Sequence, residues 1–205
     1  KPILLSFGHA GLTDSEWSKC LSKLPFSLSY FSQDYCRSGA QGGFDWPTPK
    51  DGLTKQRTFT RESSQWKAFI PVVFPRFHDT YEEANIRESY GIIPDSNGET
   101  FRQTLAMALK GAPAIIQIAT WNDWGEGTQI EPSKEFSFRD LEVLRDAWHP
   151  SSRMSLRMTE QYWQLPERIL RLRRLGRTGD GVLDKAVSAI VAGNLSRACA
   201  LLDGM

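Results

Sequence analysis

The chain has 205 residues, of which 40% are hydrophobic, and 25 Lys and Arg against 24 Asp and Glu leave a net charge of +1. Such a balance argues against a dedicated nucleic-acid or membrane-surface protein. No apolar run approaches the roughly 20 residues that a membrane-spanning helix needs. We therefore expect a globular domain with no nucleic-acid partner and no membrane span.

Strands and helices alternate along the first two thirds of the chain. The patterns predict, in order, a strand over residues 2–7, a helix over 14–24, strands over 26–31 and 69–74, a helix over 100–110 and a strand over 114–119. Thr13 or Asp14 is suited to cap the first helix, and Glu16 to its first turn. After the strand over residues 26–31, the chain through Lys50 is predicted as a loop rich in glycine and proline, followed by a polar stretch to Gln65. Strands separated by helices imply parallel βα units.

The character of the sequence changes after Pro132. We predict a helix over residues 138–148, a break at 149–152, and a tail whose residues 182–202 have helical spacing interrupted at 192–194. The predicted domains are therefore a barrel portion over 1–148 and a helical C-terminal tail over 149–205.

The segment over residues 114–132 carries the densest chemistry. Its apolar run, typical of a buried strand, ends in aromatic, amide and carboxylate side chains, and (β/α) barrels place their chemistry on the loops that follow strands. Asp123 and Glu126 are close enough to share a site, and Trp121 and Trp124 offer flat apolar faces for a sugar. An acid and a base are what glycosidic-bond chemistry needs. The alternative is a helix-entry loop whose carboxylates cap backbone N–H groups.

Seven further residues are candidate substrate contacts, each with a structural alternative. His78 and Asp79 follow a predicted strand, and they can bind sugar hydroxyls or stabilise their own loop. The other five are His9, Asp45, Trp46, Asn122 and Glu131. Their alternatives are local: Trp46 as a buried loop anchor, Asn122 as a partner that orients a carboxylate, and His9 and Glu131 as partners of backbone groups.

The motif at residues 121–132 resembles the signature of glycoside hydrolase family 71/99-like domains, a Trp-Asn-(Asp/Glu)-aromatic-Gly-Glu-Gly-Thr segment followed by Ile-Glu-Pro. Similar segments precede it in the same order, at residues 1–5, 43–47, 70–79 and 98–105. The resemblance implies a (β/α)8 TIM-type barrel. Because a complete barrel usually needs about 250 residues, we expect the chain to be the C-terminal half of one, with a helical tail. The N-terminal half would then belong to the same polypeptide.

The resemblance also implies roles for the two carboxylates. Glu126 occupies the position of the general acid/base of family 99. Asp123 stands where that family carries a glutamate thought to take the proton of the sugar's 2-hydroxyl. Family 71, which acts on α-1,3-glucan, has Asp at this position but Ser-His where this chain has Gly127 and Thr128. The sequence lies between the two families, so the sugar and the mechanism stay open.

One predicted function and two alternatives follow. We expect a glycoside hydrolase that acts on α-linked glucan or mannan through Asp123 and Glu126, with a carbohydrate substrate, no organic cofactor and no metal. The alternatives are a glycosyltransferase or polysaccharide-assembly protein and a non-catalytic glycan-binding module. The substrate class alone favours a secreted, periplasmic or cell-surface location.

Overall fold

The structure, a computed structural model, describes residues 1–8, 11–148, 160–176 and 181–205. These residues form two compact units, Lys1–Ala147 and Trp148–Met205. Within the described ranges, no helix is long and apolar enough to cross a membrane. The division lies close to the predicted domain boundary, and we propose that the two units are separate domains.

The main sheet of the first unit is parallel, and its strands lie side by side in chain order. The paired strands are β1 (Ile3–Ser6), β2 (Ser29–Gln33), β3 (Gly42–Phe44) and β4 (Ala68–Ile70). Each strand is hydrogen-bonded to the one before it, which is the strand order of a (β/α) barrel.

The predicted strand over residues 69–74 is divided at Pro71, which has no N–H to donate to a neighbouring strand. The chain resumes as β5 (Val72–Val73), which pairs in parallel with β8 (Gln117–Ile118). β8 is much shorter than the strand predicted over residues 114–119. The sequence did not predict β3, nor did it predict β6 (Phe77–His78) and β7 (Ile92–Ile93), which pair antiparallel in the loop that follows β5.

Four helices accompany this sheet: α1 (Asp14–Ser22), α2 (Gly52–Ser63), α3 (Glu99–Lys110) and α4 (Arg139–Trp148). The predicted cap of α1 is confirmed: Thr13 Oγ1 accepts the N–H of Glu16, and the Glu16 carboxylate accepts the N–H of Thr13. α3 packs on β5, with Phe101 and Leu105 in a buried cluster beside Val73. The helix therefore supports the strand whose loop borders the motif.

The polar stretch before Gln65, for which the sequence predicted no element, is the helix α2. Its buried positions include Gln56 and Ser63 as well as Phe59, so the buried face has no continuous apolar stripe in the sequence. Gln56 Nε2 donates to the carbonyls of Val72 and Thr104 at 2.7 and 2.9 Å. A buried amide is tolerated here because its N–H groups find backbone partners.

The second unit is helical, as predicted. Its described helices are α5 (Glu160–Trp163), α6 (Leu165–Arg174), α7 (Val182–Val191) and α8 (Leu195–Asp203). The predicted break before α8 is confirmed, with Asn194 as a cap whose side chain accepts the N–H of Arg197. Leu165, Ala186, Ala198 and Leu202 belong to the core of this unit. The predicted break at residues 149–152 lies outside the described residues.

We expect Thr104→Val to lower the free energy of unfolding by about 1–3 kcal/mol, because it leaves buried polar groups without a partner. Thr104 Oγ1 lies 2.9 Å from the carbonyl oxygen of Phe74 and accepts the N–H of the same residue at 3.3 Å. The exposed Thr54→Val on α2 is the matched control and should change stability by less than about 0.5 kcal/mol. Urea unfolding measures both, and equal losses would contradict the assigned role of Thr104.

Candidate functional site

The motif forms the loop that follows β8, and it is joined to the loop that follows β5. The N–H of His78 donates to the carbonyl of Glu126 at 2.9 Å, and the N–H of Thr80 donates to that of Gly125 at 3.0 Å. Gly127 has a φ of +63°, and a Cβ there would lie 2.7 Å from the carbonyl oxygen of His78. Only glycine permits this approach without a shift of backbone.

Two threonines close the base of the motif loop. Thr120 Oγ1 and Thr128 Oγ1 lie 2.9 Å apart, and the N–H of Thr120 donates to the carbonyl of Thr128 at 3.0 Å. Thr120 Oγ1 also accepts the N–H of Asp123 at 2.9 Å, while the N–H of Thr128 donates to the carbonyl of Asp123 at 3.2 Å. The backbone of Asp123 is thus held from both arms of the loop.

Asp123 and Glu126 form one half-buried carboxylate pair. Asp123 Oδ1 accepts the N–H of Glu126 at 3.0 Å. Burial raises the pKa of Glu126, and the neighbouring charge of Asp123 raises it further. A carboxyl whose pKa is raised toward neutrality can hold a proton to donate, which is the requirement for a general acid.

Tyr81 completes this pair, and the sequence did not single it out. Its hydroxyl donates to Glu126 Oε1 at 3.2 Å, which opposes the rise in the pKa of Glu126. Burial, followed by the charge of Glu126, raises the pKa of Tyr81 itself. The available signal was the position of Tyr81 in a loop after a barrel strand, close behind His78.

The two tryptophans of the motif are half exposed, Trp121 at 52% and Trp124 at 50%. Trp124 Nε1 donates to Glu131 Oε2 at 3.2 Å, and the N–H of Glu131 donates to the carbonyl of Trp121 at 2.8 Å. Glu131 therefore orients an indole ring, and Asn122 is exposed beside it. Half-exposed indole rings are suited to stacking on a sugar, and the ring of Trp124 is also fixed by its bond to Glu131.

His78 and Asp79 differ in environment although they are adjacent. His78 is exposed. Asp79 is only 3% exposed, and its carboxylate accepts N–H groups from Tyr81 and Tyr90 and the hydroxyl of Ser89. This geometry favours the structural alternative for Asp79, a carboxylate that organises the loop carrying Tyr81.

Asp45 and Trp46 follow β3, and Asp45 is a second buried acid. Burial raises the pKa of Asp45 to about 7, against the opposing influence of Lys55, whose Nζ lies 3.9 Å away. Lys55 Nζ also lies 2.8 Å from Asp34 Oδ1 and donates to the carbonyl of Trp46 at 2.8 Å. Gln117 of β8 donates to the carbonyl of Asp45 at 3.3 Å, which links this loop to the motif-bearing strand.

The contacts of Asp45 and Trp46 favour their structural alternative. The Asp45 carboxylate, 1% exposed, accepts the N–H of Trp46, and the Trp46 ring packs edge-to-face on Phe7 at 5.2 Å. His9, the remaining candidate, lies outside the described residues. Among the described residues, no group of three or more His, Cys, Asp and Glu side chains could hold a metal ion.

The chain is similar to a known family, to curated proteins and to solved structures. Residues 51–144 match the family described as glycosyltransferase WbsX. Glycoprotein endo-alpha-1,2-mannosidase of Rattus norvegicus is 31% identical over 96 residues, which cover 45% of this chain and 19% of the relative, and that of Mus musculus is 30% identical over the same shares. A solved GH99 endo-alpha-mannosidase from Bacteroides thetaiotaomicron aligns with a TM-score of 0.50 at 20% identity, covering 72% of this chain and 53% of its own.

These similarities support a glycoside hydrolase 71/99-like domain over part of the chain. The predicted (β/α) TIM-type fold is confirmed by the alignment with the solved enzyme and by the parallel strand order. The chain spans about a fifth of the length of its curated relatives, 19% in both cases. The activity and the substrate of this domain are therefore proposals.

The titration of Glu126 should respond in opposite directions to its two neighbours. Asp123→Asn should lower its pKa, because a nearby negative charge is removed, and Tyr81→Phe should raise it, because the lost hydrogen bond stabilises the carboxylate. Tyr90→Phe is the matched control and should leave the pKa of Glu126 unchanged. NMR titration of ¹³C-labelled glutamate measures all three, and a shift of the same sign in the first two variants would refute this description of the site.

Asp45 should make stability depend on pH. Its folded-state pKa of about 7 lies above the ordinary value of 3.8, so the stability associated with its neutral form is present below about pH 4 and is lost as the pH rises to about 7. Relative to Asp45→Asn, the wild type should lose about 1.4 kcal/mol for each pH unit in that window. Urea unfolding at several pH values tests this, and a constant difference between the two proteins would contradict it.

Proposed function

We propose that the domain is a glycoside hydrolase that acts on an α-linked mannan- or glucan-type substrate, with Glu126 as general acid and Asp123 as its partner carboxylate. The half-buried carboxyl of Glu126, which accepts the hydroxyl of Tyr81 and whose pKa the charge of Asp123 raises, carries this proposal. It lies at the carboxyl end of a barrel strand, where such enzymes perform their chemistry.

Glu126 is suited to protonate the oxygen that leaves when a glycosidic bond breaks. Burial favours its neutral form before the reaction, and the hydroxyl of Tyr81 can stabilise the carboxylate that remains after the proton has left. Its backbone is fixed on both sides, through its N–H to Asp123 and through its carbonyl to His78. An acid with a fixed backbone reaches the same atom of the substrate at each turnover.

Asp123 supplies the second carboxylate. A carboxylate here can take the proton of the sugar's 2-hydroxyl, as proposed for the family 99 position it resembles, or activate a water molecule. Aspartate is one methylene shorter than glutamate, a difference in reach of about 1.5 Å. Asp123 therefore requires either a closer sugar or a bridging water.

The side chains proposed to contact the substrate are those exposed to solvent on the motif loop and the adjoining loop. Trp121 and Trp124 present their faces for stacking on sugar rings, while His78 and Asn122 are exposed and can bind hydroxyl groups. The relatives named as endo-alpha-1,2-mannosidases favour an α-mannoside as the first substrate to test. Asp45, Trp46, Asp79 and Glu131 are proposed to shape the cleft from behind, and His9 stays a candidate contact.

Further strands of the same polypeptide are proposed to complete the barrel. The solved relative is covered over only 53% of its chain, and large apolar side chains of both outer strands are exposed: Ile3 and Leu5 on β1 and Ile118 on β8. In a closed barrel such side chains are covered by neighbouring elements.

A glycosyltransferase is the second candidate, and the description of the matching family favours it. This alternative predicts binding of a nucleotide sugar, and calorimetry with GDP-mannose and UDP-glucose distinguishes the two functions. A non-catalytic glycan-binding module, the third reading, predicts glycan binding without cleavage.

The hydrolase proposal predicts reducing-end release from a panel of α-mannans and α-glucans. Glu126→Gln and Asp123→Asn should each lower the rate by about 10²–10⁴-fold, the contribution typical of a positioned acid or base. Glu142→Gln, an exposed glutamate on α4, is the matched control and should retain the wild-type rate.

Cleavage that both variants lose would establish the hydrolase and name the polymer, and NMR of the fresh product would give its stereochemistry. Absence of cleavage, with glycan binding that survives both substitutions, would overturn the proposal in favour of the binding module. Binding of a nucleotide sugar would favour the transferase.

A further inference from the structure

A buried arginine lies behind the candidate site and has no part in the chemistry proposed above. Arg76 follows β5 and is 5% exposed. Its guanidinium donates through Nε to Asp95 Oδ1 at 2.9 Å, through Nη2 to Asp140 Oδ2, and through Nη1 to the carbonyl of Gln129 at 2.8 Å. Two of these partners are carboxylates outside the motif, and the third is the backbone of the motif loop.

The two carboxylates belong to a charge ring that we define as Arg76, Asp95, Arg139 and Asp140. Arg139 contacts the same two carboxylates, so two positive and two negative charges alternate and the ring is neutral. The ring of Phe136 lies beneath both guanidinium groups, at 3.6 Å from Arg76 Cζ and 4.9 Å from Arg139 Cζ. Burial alone would raise the pKa of Asp95, but hydrogen bonds from Arg139 and Arg76 lower it. A paired and hydrogen-bonded charge can be buried stably.

Gln129 lies in the arm of the motif loop that returns from the carboxylates. Its neighbours on both sides are bonded to Thr120: Thr128 through backbone and hydroxyl, and Ile130 through its N–H to the Thr120 carbonyl at 3.0 Å. Thr120 in turn holds Asp123, whose carboxylate holds the N–H of Glu126. An unbroken series of bonds therefore runs from the buried guanidinium to both proposed catalytic groups.

We propose that Arg76 is a positioning residue that fixes the motif loop, and with it Asp123 and Glu126, to the charge ring. The proposal rests on the proposed function where it concerns rate, but its effect on the loop does not depend on any activity. Lysine cannot replace arginine here, because three acceptors in different directions require the planar guanidinium fork. Arg139 shares the ring but has no recorded bond to the motif loop among the described residues, which makes it the matched control.

The first test is hydrogen exchange of the full chain, read on the peptide that covers residues 120–131. Arg76→Gln should speed exchange of the Thr128 and Ile130 amides at least about tenfold, because the carbonyl between them loses its anchor. Arg139→Gln removes the same charge from the ring and should destabilise the protein to a similar degree, but it should leave this peptide protected. Equal exchange of the peptide in the two variants would overturn the proposal.

The second test is kinetic and applies once a cleaved substrate is known. Arg76→Lys should lower kcat by about 10²-fold with a smaller change in KM, since misplacement of a catalytic group by about 1 Å has this effect. A looser loop exposes Glu126, so the alkaline limb of the pH–rate profile should move to lower pH, which a loss of folded protein would not cause. Arg139→Lys should keep both the rate and the profile.

A chemical rescue covers the case in which Arg76→Gln does not fold. Arg76→Ala leaves a space bordered by two carboxylates and a carbonyl, and millimolar guanidinium should restore protection of residues 120–131, whereas methylammonium should not. Failure of guanidinium to restore protection would also overturn the proposal. If the wild type cleaves nothing while protection still depends on Arg76, only the hydrolase function is refuted.

Discussion

The close approach of two loops is the constraint on which the candidate site depends. The loop after β8 and the loop after β5 are joined by backbone hydrogen bonds from His78 and Thr80 to Glu126 and Gly125. Gly127 makes this approach possible, because any side chain there would collide with the carbonyl of His78. Once the loops are joined, the hydroxyl of Tyr81 lies against the carboxyl of Glu126, so a residue of one loop adjusts the acidity of a residue of the other. The proposed chemistry is thus a property of the junction and not of either loop alone.

The acids in and near the candidate site differ in how deeply they are buried and in the charges beside them. Asp79 is the most enclosed acid of the junction, and its carboxylate is occupied by N–H and hydroxyl donors of its own loop. Glu126 is half buried beside another carboxylate, the environment that favours its protonated form. Asp95 lies between two guanidinium groups, whose hydrogen bonds lower its pKa and favour its charged form. The surroundings therefore shift the pKa values of Glu126 and Asp95 in opposite directions.

Elements with an apolar pattern were predictable from sequence, and elements with polar buried faces were not. α3 was predicted almost to the residue, since Phe101 and Leu105 lie on one apolar stripe. α2 was missed because Gln56 occupies a core position, where its side chain bonds to the backbone of β5 and α3. β3 was missed because its segment Gly42–Phe44 has two glycines, which are poor strand formers. The absence of a side chain is needed here because β4 packs closely: a Cβ on Gly42 would lie 1.6 Å from the carbonyl oxygen of Ala68. A partner strand cannot be recognised from such a segment alone.

The sequence by itself determined that strands and helices alternate as parallel βα units, and it determined the contents of the motif loop. The side chains of this loop are close together because they are close along the chain. They are Trp121, Asp123, Trp124, Glu126 and Glu131. Tertiary structure alone decided which distant residues reach them. Tyr81 is 45 positions from Glu126, and Arg76 is 53 positions from Gln129. It also decided that Asp79 and Asp45, which the sequence offered as contacts for a sugar, lie buried among the protein's own donors. Hydrogen bonding and burial across such separations depend on how strands pack, and local residue patterns carry no information about them.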